Sequence, residues 1–225
     1  MFDGGKDGNE MKHYKTAIFD LDGTLLNTLE DLTNSVNAAL EKNNKPQRTI
    51  EEVRSFVGNG IRLLIERAVP AGTETAETDQ IFADFKAHYA VHCNDKTRPY
   101  DGMPALLEKL SKEGYHLAIV SNKADSAVKE LNQIYFKDVI TVAIGECEGI
   151  RKKPAPDTVN QAFRELGVTK EDAVYIGDSD VDVMTAKNSG LPCISVLWGF
   201  REKEFLKENG ATVFAKDADE LEQLL

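Results

Sequence analysis

The chain has 225 residues, 41% of them hydrophobic and 29% charged, with a formal net charge of −11. That composition predicts a packed core rather than disorder, and the acidic balance argues against a general nucleic-acid or anionic-membrane surface. No apolar run reaches the roughly 20 residues that a transmembrane helix needs. Three scattered cysteines, Cys93, Cys147 and Cys193, form no CxxC or Cys/His cluster. They point to free thiols in a reducing, cytoplasmic setting rather than to a disulfide framework or zinc.

Residues 1–13 are expected to be a flexible leader, and residues 1–12 contain no apolar segment of the secretory kind. The apolar run Ala17–Ile18–Phe19 then predicts a buried strand ending at Asp20, with a tight turn at Asp22–Gly23. Helical spacing follows at once: Leu29, Leu32, Val36, Ala39 and Leu40 recur every three or four residues, and Asn43 to Pro46 break the pattern. Thr49 is the expected N-cap of a second helix, with Glu51 and Glu52 in its first turn. Gly58–Asn59–Gly60 punctuates before a third apolar-faced helix, Ile61 to Val69, and residues 78–92 form a fourth.

From Tyr100 the rhythm alternates. Helices are expected over 104–113, 124–134, 156–166, 180–189, 201–208 and 217–225, and strands over 116–120, 139–144, 173–176, 193–197 and 212–214. Alternation of this kind predicts an α/β fold, a Rossmann-like three-layer α/β/α core around a central parallel sheet with right-handed crossovers. The all-helical stretch 28–92 reads as a domain inserted into that core, which is left with residues 14–27 and 93–225.

Chemistry collects outside the carboxyl ends of strands in such folds. Asp20 and Asp22 stand at the end of the first strand, one residue apart. A carboxylate there suits a nucleophile that forms an aspartyl-phosphate, and its neighbour suits a general acid toward the leaving oxygen and then a base toward water. Ser121–Asn122–Lys123 closes the second core strand, where a hydroxyl and backbone N–H groups can hold phosphoryl oxygens beside a helix N-terminus. The Pro154–Ala155–Pro156 segment stiffens the backbone next to Lys153, a fixed cation able to offset charge at the reaction centre.

Gly177–Asp178–Ser179–Asp180–Val181–Asp182 ends the 173–176 strand. Its spaced aspartates do not make an EF-hand, because no Gly stands at the sixth place and no Glu at the twelfth. Asp178 suits a Mg²⁺ ligand, and Asp182, a helical turn on, either supports that ligand from behind or orients Lys153. His88 and His92 lie four residues apart without the Glu of an HExxH zinc motif, so a surface or cap-packing role is expected. There is no GxSxG nucleophile elbow and no P-loop.

Together, Asp20–Leu21–Asp22–Gly23–Thr24, Ser121–Asn122–Lys123, Lys153–Pro154 and Gly177–Asp178–Ser179–x–x–Asp182 resemble the four motifs of the haloacid dehalogenase superfamily, in order and each at a strand end. The helical insert after the first motif resembles that superfamily's C1-type cap. Residues 175–201, with Val57–Gly58–Asn59–Gly60, resemble its phosphoglycolate phosphatase branch. The resemblance implies a Mg²⁺-dependent phosphomonoester hydrolase with Asp20 as nucleophile and Asp22 as acid–base. It implies Mg²⁺ held by Asp20, Asp178 and the backbone carbonyl of Asp22. Ser121 and Lys153 would bind phosphoryl oxygens, with Thr24 and Asn122 in the same set, and Gly177 and Asp182 would support them.

One departure stands at Asn27, where relatives often carry Asp; it lies at the cap hinge and outside the four motifs. In the cap, Asn59, Gly60 and Arg62 are candidates for specificity, Arg62 toward a substrate carboxylate. The expected partner is a small phosphorylated metabolite such as 2-phosphoglycolate, and the expected state is a monomer or homodimer. A β-phosphoglucomutase-like mutase, a pyrophosphatase and a broad sugar-phosphate or nucleotide phosphatase share these features. A dehalogenase is disfavoured by the presence of Asp22. A receiver module is smaller and has no helical insert after its first strand, and the full motif set weighs against a non-catalytic binding protein.

Overall fold

A computed structural model describes residues 14–225; the leader expected over 1–13 lies outside them. In chain order, β1 (Thr16–Phe19) and the two-residue β2 (Leu26–Asn27) lead into four consecutive helices. These are α1 (Leu29–Lys42), α2 (Ile50–Phe56), α3 (Ile61–Ala68) and α4 (Thr75–His92). The chain returns through β3 (Arg98–Pro99) and α5 (Met103–Lys112) to β4 (His116–Ala124), α6 (Asp125–Tyr135) and β5 (Val142–Glu146). It then alternates through α7 (Asp157–Leu166), β6 (Ala173–Gly177), α8 (Asp180–Ser189) and β7 (Cys193–Val196). It ends with α9 (Lys203–Glu208), β8 (Val213–Ala215) and α10 (Ala218–Leu224).

The main sheet is parallel, in the order β5-β4-β1-β6-β7-β8. β1 pairs with β4 on one side and β6 on the other, and the order runs outward from it in both directions. This is the switch point at which open α/β sheets leave a crevice. Both faces of the sheet are covered, which is why its strands read as unbroken apolar runs. Ala17 and Phe19 face one core with Leu106 and Leu107 of α5, Val128 of α6 and Leu221 of α10. Ile18, pointing the other way, packs with Val159 and Phe163 of α7 and Ala186 of α8.

The four helices α1–α4 close a separate hydrophobic core. It is built on Leu32, Val36 and Leu40 of α1, Val53 of α2, Leu64 and Ile65 of α3, and Ile81 and Phe85 of α4. The capping of α2 follows the sequence expectation: Thr49 Oγ1 accepts from the Glu52 amide (3.2 Å), and Glu52 accepts from the Thr49 amide (2.8 Å). The ribbon β2–β3, antiparallel where the chain leaves and re-enters the sheet unit, had no periodic signal because each strand is two residues long.

Other boundaries differ for local reasons. β5 begins at Val142 instead of 139, because Val139 and Ile140 close a turn onto Phe136 O. β4 runs on to Ala124 with a register shift after Val120, so Ser121, Asn122 and Lys123 belong to the strand itself. Among the described residues no helix is long and apolar enough to cross a membrane.

Asp31, in the first turn of α1 and 2% exposed, accepts from the amides of Lys96 and Thr97 and from the Thr97 hydroxyl, at 2.8–3.0 Å. It ties the outgoing segment to the returning one. Asp31→Ala is expected to destabilise the fold by about 1.5–3 kcal/mol, the range for hydrogen bonds to a charged group. Urea denaturation measures the loss.

Candidate active site

Because β1, β4 and β6 lie side by side and parallel, the residues at their C-terminal ends converge. Asp20 leaves β1 with its amide bonded to Ile176 O of β6 (2.9 Å). The following turn folds back so that Leu25 and Leu26 both donate to Leu21 O (3.0 Å each). Gly23 has φ +85°, and a Cβ there would lie 2.4 Å from Asp178 Oδ2, so backbone conformation and close approach both demand glycine.

Asp20 is 7% exposed, and its Oδ1 accepts from Lys153 Nζ at 2.8 Å. Lys153, also buried, donates to Asp182 Oδ1 (2.8 Å) and to the Tyr175 hydroxyl (3.0 Å), which itself donates to Asp182 Oδ1 (2.9 Å). The other oxygen of Asp182 takes the Ser179 hydroxyl (2.6 Å) and the amides of Ser179 (3.1 Å) and Asp178 (3.2 Å). Asp182 is thus the far half of a capping box on α8 as well as a partner of Lys153. Its approach is so close that a Cβ on Gly177 would lie 2.3 Å from it. Lys153 is itself gripped through its backbone. Its amide donates to Asn122 Oδ1 (2.8 Å), its carbonyl accepts from Asn122 Nδ2 (3.1 Å), and its peptide bond to Pro154 is cis.

Burial alone would lower the Lys153 ammonium, but Asp182 and Asp20 hold it well above the usual lysine range. Burial works against the charge on Asp182 too. Lys153, Ser179 and Tyr175 nonetheless keep its carboxyl below the ordinary value. Asp20 and Asp178 go the other way. Burial, then the neighbouring Asp182, pushes the Asp178 carboxyl up to about 7. Burial, then Asp182, raises Asp20 well above the carboxylate range against the pull of Lys153. Oxygen atoms of Asp20, Asp178 and Asp182 lie within 4.8 Å of one another. Those of Asp182 are committed to donors, whereas Asp178 accepts one amide, Phe200 N (2.6 Å), and the Thr24 hydroxyl at 3.5 Å. Asp20 and Asp178 therefore supply an all-oxygen, charge-crowded donor set of the kind that suits a hard divalent cation.

Asp22 stands apart from this group. Its Oδ1 accepts from the Thr28 hydroxyl (2.6 Å) and from Lys123 Nζ (2.8 Å). Asp20, Asp22, Ser121, Lys123 and Asp178 line a cavity of about 50 Å³ roofed by Gly58, Gly60, Ile61 and Leu64 of the helical unit and walled by Leu32 and Phe200. The roof is fastened to the sheet unit by two arginines. Arg54 of α2 donates to the carbonyls of Gly199 (2.6 Å) and Phe200 (3.2 Å), and Arg201 donates back to those of Arg54 (2.9 Å) and Val57.

The structure brings Asp20, Asp22, Ser121, Asn122, Asp178 and Gly60 to the cavity wall, and Lys153, Asp182, Gly177 and Thr24 directly behind it. Two expectations change. Asn122 sits at the wall, but its amide is spent on the Lys153 backbone. Asn59 and Arg62 do not line the cavity: Asn59 accepts from Arg67 (2.9 Å), and Arg62 is paired with Glu66 (2.7 Å) and Asp79 (2.6 Å) over the Phe82 ring. The acidic neighbours on α3 and α4 hold Arg62 at the surface, so it does not meet a substrate carboxylate in this arrangement. Lys123, Tyr175, Arg54 and Arg201 were not expected as site residues. A tyrosine inside an apolar strand was the one available signal, since a buried phenol needs a partner. His88 and His92 stack on each other, bonded to Ser35 and Asp95, in keeping with a packing role.

With this geometry in hand, comparison with known proteins is decisive. Residues 17–196 match the family described as haloacid dehalogenase-like hydrolase. The chain belongs to the haloacid dehalogenase-like hydrolase family. It is 32% identical to a phosphoglycolate phosphatase of Pseudomonas putida over 83% of this chain and 70% of that protein. It is also 32% identical to one of Mesorhizobium japonicum, over 83% of this chain and 84% of that protein. A solved structure from Lactobacillus delbrueckii subsp. bulgaricus, provisionally named phosphoglycolate phosphatase, superposes with a TM-score of 0.90 at 37% identity, covering 94% of this chain and 98% of that one. Within the haloacid dehalogenase-like hydrolases the chain thus falls with the phosphoglycolate phosphatase-like branch.

Removing Lys153 leaves two buried carboxylates without their counter-ion. Lys153→Met is expected to lower stability by about 3–5 kcal/mol, the usual consequence of breaking a buried pair from one side. Adding Asp182→Asn removes one of the orphaned charges and should recover part of the loss in the same denaturant titration.

Proposed function

We propose that this protein is a Mg²⁺-dependent phosphomonoester hydrolase that works through an aspartyl-phosphate on Asp20, with a small phosphorylated metabolite, foremost 2-phosphoglycolate, as substrate. The observation that carries this reading is Asp20 fixed by buried Lys153, beside Asp178 and one residue from Asp22, beneath a cavity of about 50 Å³. Space of that order holds a few water-sized groups, since one water occupies roughly 10–15 Å³ on this measure. It favours a phosphoryl group with a short leaving group.

In the proposed reaction Asp20 attacks phosphorus, and the bond from phosphorus to the leaving-group oxygen breaks as Asp22 delivers a proton to that oxygen. Asp22 then takes a proton from water as the water oxygen attacks phosphorus. Inorganic phosphate leaves and the Asp20 carboxylate returns. Lys153 offsets the negative charge on the nucleophile and the transferring group, and Ser121 offers a hydroxyl at the phosphoryl oxygens. Mg²⁺, held by the carboxylates of Asp20 and Asp178 and the backbone carbonyl of Asp22, would supply charge neutralisation at the phosphoryl oxygens. The crowding of buried carboxylates at Asp20 and Asp178 supports that assignment. Residues 28–92 act as the cap, whose closed position shields the site from bulk solvent while leaving Asp22 able to act on the water that attacks the intermediate.

A screen of phosphate release with Mg²⁺ over phosphoglycolate, pyrophosphate, sugar phosphates and nucleotides tests the substrate class. The expected ranking places phosphoglycolate first. Asp20→Asn should remove turnover on every substrate with an unchanged circular dichroism spectrum, and near-normal phosphate release by that variant would overturn the mechanism. Chelation with EDTA should abolish activity, and added Mg²⁺ should restore it. Asp178→Asn should raise the Mg²⁺ concentration needed for half-maximal rate by about tenfold or more.

A further inference from the structure

We propose that Lys123 is a positioning residue for Asp22, and that Tyr89, reaching it from α4, makes this positioning conditional on the helical unit lying closed over the sheet. The inference rests on the phosphomonoesterase reading above. Lys123 is the last buried residue of β4, 6% exposed. Its ammonium donates to Asp22 Oδ1 at 2.8 Å and to the Tyr89 hydroxyl, and it sits 4.7 Å from the centre of the Tyr89 ring. An ammonium is retained in a buried site only where its charge and its donors are met. Here one carboxylate and one phenol hydroxyl meet them.

The Thr28 hydroxyl, at the start of α1, donates to the same Asp22 Oδ1 at 2.6 Å. Two donors therefore occupy Oδ1, and among the described residues none is bonded to Oδ2. Lys123 and Thr28 thus hold Asp22 through Oδ1 and leave Oδ2 as the oxygen presented to the leaving group and to water.

Tyr89 is distant in sequence from both partners, 6% exposed, and stacked on Phe85 at 5.3 Å within the core of the helical unit. Displacing that unit would replace the phenol with solvent at the Lys123 ammonium and loosen its hold on Asp22. The acid–base group is then aligned only under a closed roof.

The test uses two esters that differ in their need for a proton on the leaving oxygen. p-Nitrophenyl phosphate releases a stable phenolate without one; phosphoglycolate releases an alkoxide that requires it. First-turnover release of each leaving group, before the aspartyl-phosphate is hydrolysed, is compared in the wild type, Lys123→Met and Tyr89→Phe. Lys123→Met should slow glycolate release by about a hundredfold or more, the usual contribution of a general acid. Its p-nitrophenol burst should change much less and be followed by a slowed steady state. Tyr89→Phe, which keeps the packed ring, should give the same pattern at smaller size, and it carries the test alone if Lys123→Met does not fold. Equal losses on the two esters, or a rise in KM without a fall in first-turnover rate, would overturn the proposal. A wild type inert toward both esters would instead overturn the phosphomonoesterase reading, and this inference with it.

Discussion

The arrangement depends on one buried cation shared by two buried carboxylates. Lys153 stands between Asp20 and Asp182, and each member of the trio is anchored by a different strand end. Taking three charges out of water is unfavourable unless every donor and acceptor is met. The chain meets them with Tyr175 from β6, the Ser179 cap of α8 and the Asn122 clamp from β4. The orientation of Asp20 is therefore a property of the sheet's register, carried by several elements instead of one loop. Nearby core positions leave little slack, as Gly177 and Gly23 illustrate: a methyl group at either would collide with the carboxylates it backs.

The charge balance of the same cluster sets its chemistry. One ammonium faces Asp20 and Asp182, and Asp178 adds a third buried carboxylate. The surplus is negative in the very place where a phosphoryl dianion is proposed to arrive. Burial and mutual repulsion raise Asp20 and Asp178, while Asp182, wrapped in donors, stays low. A divalent cation held by Asp20 and Asp178, as proposed, would resolve this imbalance by neutralising the two raised carboxylates. Asp182, already met by its donors, is bonded to Lys153 instead.

The helical unit completes the site from above through chemically different contacts. Backbone at Gly58 and Gly60 approaches the cavity closely, Arg54 and Arg201 exchange carbonyl contacts across the seam, and Tyr89 reaches down to Lys123. None of these belongs to the charge cluster around Asp20, yet one of them touches the partner of Asp22. Asp20 and Asp22, the proposed nucleophile and acid–base residue, stand two positions apart in the chain yet answer to different parts of the molecule: Asp20 to the sheet, Asp22 to the sheet and the roof together.

Much of this was legible in the amino-acid order. Apolar runs ending in Asp20, Ser121 and Gly177–Asp178, separated by helical periods, determined a parallel α/β core with polar residues gathered at one edge, because strand ends in such a sheet have nowhere else to put them. Local chemistry also determined the Thr49 cap and the inserted run of helices. Tertiary structure alone decided what each polar side chain does with its neighbours. Lys123 closes a strand and Lys153 ends a short basic run before a proline, and only the fold assigns one to Asp22 and the other to Asp20. Arg62 has the right residue type one turn past a glycine loop, but Glu66 and Asp79 neutralise it at the surface, and Asp79 comes from another helix. Spacing along a chain reports periodicity and hence faces; it carries no information about which charge from a distant element arrives first. That pairing is settled only when the helices pack.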